Sequence, residues 1–256
     1  MSAYASAEER IRMSEILEGH TVRRYDGELN TLHLLVLEMG GLVLDQCRLA
    51  LEALKTGNLE GARRVLARET EVDGLEIKLD EEVWSVVGRR APVARDLRVV
   101  MAFSKAATDL ERIGDEAARI AGTALAIYDD EVRRPSRKLL RDVQTMGKLA
   151  LGMLKDAIML YDNFDLSVAE GLLRRHADLD AEFQSSLRRL TTFILEDARN
   201  VGNAINVVLL VKALERIGDQ ARNLAEYVIY LVRGEDVRQA EPPQKHGAEK
   251  RGDSSN

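Results

Sequence analysis

The hexamer Leu110-Glu111-Arg112-Ile113-Gly114-Asp115 returns unchanged as Leu214-Glu215-Arg216-Ile217-Gly218-Asp219, 104 residues further along the chain. Each copy lies in a sustained heptad. In the first, Val99, Phe103, Ala106, Leu110, Ile113, Ala117 and Ile120 step by fours and threes; in the second, Val207, Leu210, Leu214, Ile217, Ala221, Leu224, Val228 and Leu231 do the same. That spacing lays an apolar seam along an α-helix. Further out, Met39-Gly40-Gly41-Leu42-Val43-Leu44 parallels Met146-Gly147-Lys148-Leu149-Ala150-Leu151 at an offset of 107. The pattern predicts an all-α fold of two tandem three-helix bundles related by internal duplication. Two units of about 100 residues are a duplication, since a solenoid needs three or more short repeats.

Within the first unit, Leu32, Leu35, Val36, Met39, Leu42, Val43, Ala50, Ala53 and Leu54 mark one long helix, broken at Thr56-Gly57-Asn58. A second run from about Leu59 to Val87 ends at Gly88–Pro92, where Pro suits a loop or a first helical turn. The segment from Asp129 to Arg137, with Pro135, divides the units. The expected plan is an N-terminal extension (1–20), a first bundle (21–131), a second bundle (136–233) and a disordered tail (234–256) with no periodicity.

Composition narrows the function. The 37 Lys and Arg against 43 Asp and Glu give a net charge of −6, and only 4% of the 256 residues are aromatic. A nucleic-acid binder would need a basic face or stacking aromatics, so none is expected. No apolar stretch is long enough for a transmembrane segment. With one cysteine, Cys47, and no apolar signal core, the expected compartment is the reducing cytoplasm.

In each hexamer the two carboxylates stand at i and i+4, on one helix face and one turn apart. Like charges at that spacing cost a few tenths of a kcal/mol, and a hard cation with oxygen ligands reverses the sign. Surface ion pairs with Arg112, Arg119 or Arg216 are the bland alternative. Ion pairing does not require the intervening Ile and Gly, however, and their repetition favours a metal site. Glu69, Asp73, Glu76 and Asp80, with Asp178, Asp180 and Glu182, stand in the right order to complete the two sites. Asp73 and Asp180, 107 residues apart, are the preferred pair.

Other chemistries lack their residues. None of His20, His33, His176 and His246 follows a Glu by three positions, as di-iron bundles require. Phosphate-binding Gly loops, zinc Cys/His spacing and a nucleophile elbow are missing from the sequence. His33 reads as a packed or capping residue, His176 as a secondary ligand candidate, and the recurring Arg pairs as solvated faces. A carboxylate-bridged metalloenzyme and a purely structural scaffold stay open as alternative readings.

Tyr25-Asp26-Gly27-Glu28-Leu29, the two hexamers, and Ala221-Arg222-Asn223-Leu224-Ala225-Glu226-Tyr227-Val228-Ile229-Tyr230-Leu231-Val232 resemble the PhoU family over about residues 20 to 238. The resemblance implies a non-enzymatic, cytoplasmic regulator made of two three-helix bundles. It implies metal ions, iron or zinc first and manganese or magnesium as alternatives, at Glu111, Asp115, Glu215 and Asp219. It further implies coupling of the phosphate ABC transporter, through its PstB ATPase, to the sensor histidine kinase PhoR, repression of the starvation response when phosphate is abundant, and a homodimer. Asp109 and Asp96 in the first unit become Ala213 and Asn200 in the second. The first site is therefore expected to have more oxygen ligands, with Asp109 as an additional one.

Overall fold

A computed structural model of the chain describes residues 16–20, 23–129, 139–196 and 201–234. The segment dividing the two units, most of the N-terminal extension and nearly all of the tail lie outside the described residues. Within them the elements are all helical: α1 (Arg23–Thr56), α2 (Leu59–Ala67), α3 (Glu69–Arg90), α4 (Ala94–Asp129), α5 (Leu140–Asn163), α6 (Leu166–Glu196) and α7 (Val201–Arg233). The first bundle packs α1, α2 and α3 around α4, and the second packs α5 and α6 against α7. Every residue of both heptads is buried, so those seams are consumed inside the chain.

One difference from the sequence reading is the break at Arg68, which splits the expected 59–87 run into α2 and α3. Its amide turns back to the carbonyls of Arg64 and Val65 at 3.2 and 3.1 Å, and its guanidinium reaches Asp45 on α1 at 2.7 Å. The equivalent α6 runs 31 residues unbroken. Helix ends follow local chemistry. Asn58 caps α2 by accepting from the Gly61 amide at 3.0 Å. Gly57, at φ +77, closes α1, and its missing Cβ admits the Tyr128 ring. The same left-handed position after α5 holds Phe164 at φ 52, a conformation that costs a non-glycine residue about 1–2 kcal/mol. The ring is fully buried, 5.8 Å from His33.

The bundles meet along two antiparallel helix pairs, α1 with α5 and α4 with α7. The repeated Met-Gly makes the first junction: Gly40 faces Ile158, Gly147 faces Leu51, and a Cβ on either glycine would lie 3.0 Å from that side chain. These are reciprocal notches related by the internal repeat. At the second junction Arg216 donates to Glu116 at 2.9 Å, and the Lys105 ammonium sits 5.5 Å from the Tyr227 ring centroid. Two Arg pairs also work as clamps: Arg90 holds Glu28 through two hydrogen bonds of 2.7 and 3.0 Å, and Arg189 holds Asp142. Ile16 and Leu17, at the end of the N-terminal extension, are buried, and His20 contacts Asp26 and Asp96.

His33 packs and caps. Its Nε2–H donates to the Tyr161 carbonyl, in the last turn of α5, at 2.6 Å, while Nδ1 is buried without a partner. Burial holds its pKa below the usual histidine value, with the Tyr161 carbonyl opposing. Protonation would place an unmatched N–H in the core, so the native state loses stability as pH falls below about 6.5. Urea midpoints measured across that range should decline in the parent and flatten in His33→Gln; equal slopes would refute the assignment.

Candidate metal sites in the two bundles

In each bundle the second long helix packs over the glycine of the repeated hexamer, in ordinary contact in the first and in a notch that only a glycine leaves open in the second. Val72 on α3 lies over Gly114, where a Cβ would meet its Cγ1 at 3.4 Å. Leu179 on α6 fills the notch over Gly218 so completely that a Cβ would lie 2.0 Å from its Cδ2. Val72 and Leu179 are 107 residues apart, and each precedes an aspartate, Asp73 or Asp180. Close helix approach is thus what brings those aspartates toward Glu111–Asp115 and Glu215–Asp219.

The first cluster sets Asp73, Glu76 and Asp80 of α3 near enough to Glu111 and Asp115 of α4 to interact electrostatically, but among the described residues no three of these carboxylates bring ligand atoms within 4.8 Å of one another. Burial, then the charges of Asp115, Glu76 and Asp73, push the Glu111 carboxyl up to about 6, with Arg112 opposing. Glu76 is also raised, first by burial; a hydrogen bond from Thr108 opposes, and the charges of Asp80 and Asp73 add to the rise. Arg112 is 58% exposed and reaches Asp109 at 3.5 Å. An under-neutralised set of carboxylates fits a hard divalent cation.

The second cluster is chemically different. His176 is buried; its Nε2 lies 2.8 Å from Asp219 Oδ1 and its Nδ1 3.4 Å from Asp180 Oδ2. One ligand atom from each of the three lies within 4.8 Å of the others, a mixed nitrogen and oxygen set suited to a borderline cation. Glu215 is held by Lys212, with Nζ to Oε2 at 2.6 Å. Asp178 is exposed, and Glu182 pairs with Arg189 at 2.6 Å, so neither joins the cluster.

Asp109 requires correction. Two residues before Glu111 on a helix means a rotation of about 200°, which turns it from the acidic cluster into the α4–α7 junction. There it is 2% exposed, and burial raises its pKa while hydrogen bonding to Tyr227 and Asn223 opposes. Asp96 likewise stands apart, beside His20 at 3.3 Å. The first site's surplus of acids comes instead from Glu76 and Asp80, whose counterparts are Phe183 and Leu187. The importance of His176 was legible at the same offset of 107, which pairs it with Glu69.

The PhoU domain family model matches residues 36–124 and 143–228, one copy in each bundle. The phosphate-specific transport system accessory protein PhoU homolog of Pseudomonas putida is 36% identical over 224 residues, covering 88% of this chain and 86% of that protein. The PhoU of Escherichia coli is 31% identical, covering 87% and 90%. Among solved structures, PhoU from Pseudomonas aeruginosa superposes with a TM-score of 0.79 at 35% identity, covering 82% of this chain and all of that one. The phosphate transport system regulatory protein PhoU from Streptococcus pneumoniae gives 0.74 at 26% identity, covering 83% and 98%. With the family model spanning both bundles and the repeated hexamer in each, this chain belongs to the PhoU family.

Proposed function

We propose that this chain is a regulatory accessory of a phosphate-specific transport system, acting by contact and not by turnover. The observation that carries the reading is the pair of duplicated acidic clusters on a fold whose relatives are named as accessory or regulatory proteins of that system. In the finer reading the chain relays the state of the phosphate ABC transporter, through PstB, to the sensor kinase PhoR and represses the starvation response when phosphate is plentiful. A homodimer and a cytoplasmic location belong to the same proposal; no described helix is long and apolar enough to cross a membrane.

Metal ions belong to the proposal too. Asp73, Glu76, Glu111 and Asp115 would hold them in the first bundle, and His176, Asp180 and Asp219 in the second. When bound, the metal supplies positive charge that neutralises the carboxylates and ties the second long helix to the third. The residues themselves set how stiff each bundle is, because in the first they repel one another across α3 and α4 until neutralised. A relay needs surfaces that prefer one state of a partner. Exposed Leu97 and Met101 on α4 recur at an offset of 104 as exposed Val201 and Ile205 on α7. Because α4 and α7 are antiparallel, these apolar pairs sit toward opposite ends of the molecule, which supports simultaneous contact with two partners.

The test is deletion in the source organism with a starvation-promoter reporter. Loss of the chain should derepress the reporter in abundant phosphate, and the parent gene should restore repression. A reporter that stays silent in the deletion strain, with normal uptake, would sink the regulatory reading.

A further inference from the structure

We propose that Lys212 is a built-in cation standing in for a metal ion at the second hexamer, so that Glu215 is withdrawn from metal binding and His176, Asp180 and Asp219 form the donor set. The proposal rests on the metal-binding reading above. Position by position, the two clusters have diverged in one direction. Glu69, Asp73, Glu76, Asp80, Thr108, Glu111 and Asp115 in the first bundle become His176, Asp180, Phe183, Leu187, Lys212, Glu215 and Asp219 in the second. Three acids are lost, and an ammonium and an imidazole are gained.

The geometry makes the substitution coherent. Lys212 Nζ lies 2.6 Å from Glu215 Oε2 on its own helix and 5.3 Å from the centroid of the Phe183 ring on α6. Thr108 and Glu76, the counterparts of Lys212 and Phe183, are likewise neighbours across the two helices of the first bundle. Where the first bundle leaves carboxylates facing each other across two helices, the second inserts one ammonium that neutralises a carboxylate and rests on an aromatic face. It joins α6 to α7 as a bound cation would. An arriving divalent ion would have to displace that ammonium from Glu215 against like-charge repulsion and uncover the ring. His176, Asp180 and Asp219 lie a turn away, and among the described residues Asp180 and Asp219 pair with His176 and with no Lys or Arg.

The consequence is an asymmetric demand for metal. The first bundle needs cations from solution, and the second carries one of its own. The test uses the full chain, with zinc and manganese as probes, elemental analysis of bound metal and thermal melts with and without chelator. In a Glu111→Gln, Asp115→Asn background, which silences the first cluster, residual metal should disappear with His176→Ala and persist with Glu215→Gln. Lys212→Thr in that background should tighten metal binding by about tenfold or more, the scale on which neighbouring groups tune metal affinity. That gain should vanish when Glu215→Gln is added.

The reciprocal change, Thr108→Lys in the parent, should raise the chelator-treated melting temperature and lower metal uptake by the first cluster. If Glu215→Gln removes residual metal as fully as His176→Ala while Lys212 is intact, the proposal is overturned. It is equally overturned if Lys212→Thr leaves affinity unchanged. Should the parent itself bind neither zinc nor manganese, the metal-binding reading fails first and takes this proposal with it. Loading of the first cluster alongside a failed Lys212 test would sink this proposal only.

Discussion

Alanine at Gly218 is expected to destabilise the protein by about 1–2 kcal/mol net, whereas alanine at the equivalent Gly114 stabilises it by up to about 1 kcal/mol. Both glycines lie in helix interiors, where a methyl group improves intrinsic helix propensity. At Gly114 that gain is unopposed, because the new Cβ meets Val72 at 3.4 Å, an ordinary contact. At Gly218 it would lie 2.0 Å from Leu179 Cδ2, and Leu179 is fully buried. The leucine must change rotamer in a packed core or α6 must move away, and overpacking of this kind costs about 1–3 kcal/mol. If α6 moves, His176 and Asp180, on either side of Leu179, retreat from Asp219. Gly218→Ala should therefore also weaken residual metal binding in the second bundle. Chemical denaturation of the two single variants checks this; shifts of the same sign would refute the packing argument.

Removing charge from the first cluster should have the other large effect. The Glu111 carboxyl, raised to about 6 in the folded protein, binds its proton more tightly than in the unfolded chain. Metal-free stability is therefore greatest when the group is protonated and falls as pH rises from about 4.5 through about 6. At full strength the shift corresponds to about 2 kcal/mol, and solvent screening of a partly exposed group leaves about 1 kcal/mol. Glu76→Gln with Glu111→Gln should recover that amount at neutral pH in chelated protein and remove the first cluster's share of the stabilisation by added metal, leaving only what the second bundle binds. In the parent, metal at 100 times its dissociation constant should add about 2.7 kcal/mol. His33 drives stability the opposite way with pH, so the difference between parent and variant is the readout. A parent whose chelated stability matches the double variant at neutral pH would show that the acids do not strain the bundle.

The third helices were the most legible part of the fold. Heptads are read along one helix, and each of their residues is buried as the spacing requires. The glycines were legible as signals and opaque as causes. Nothing along the chain says that Gly40 and Gly147 receive each other's bundle, or that Gly114 and Gly218 receive the helix bearing the partner aspartate. Those reasons exist only where helices meet. Asp109 misled because nearness in sequence is not nearness on a helix face. Arg68 misled differently: the residues around it keep helical character, and the break is tied to a contact with Asp45 on another helix. Lys212 was within reach, since the offset of 104 sets it opposite Thr108.

The two antiparallel junctions have a consequence for how the molecule is held together. In each, a segment of one half meets the repeat-equivalent segment of the other, as in a two-fold dimer whose subunits have been spliced into one chain. Docking is then intramolecular, with an effective concentration on the order of millimolar or above, and it escapes the loss of translational freedom that separate subunits suffer. An interface relieved of that cost can tolerate unfavourable chemistry. The buried carboxyl of Asp109, which has no acidic counterpart at Ala213, is an instance: covalent linkage has let the two faces of a once symmetric contact drift apart.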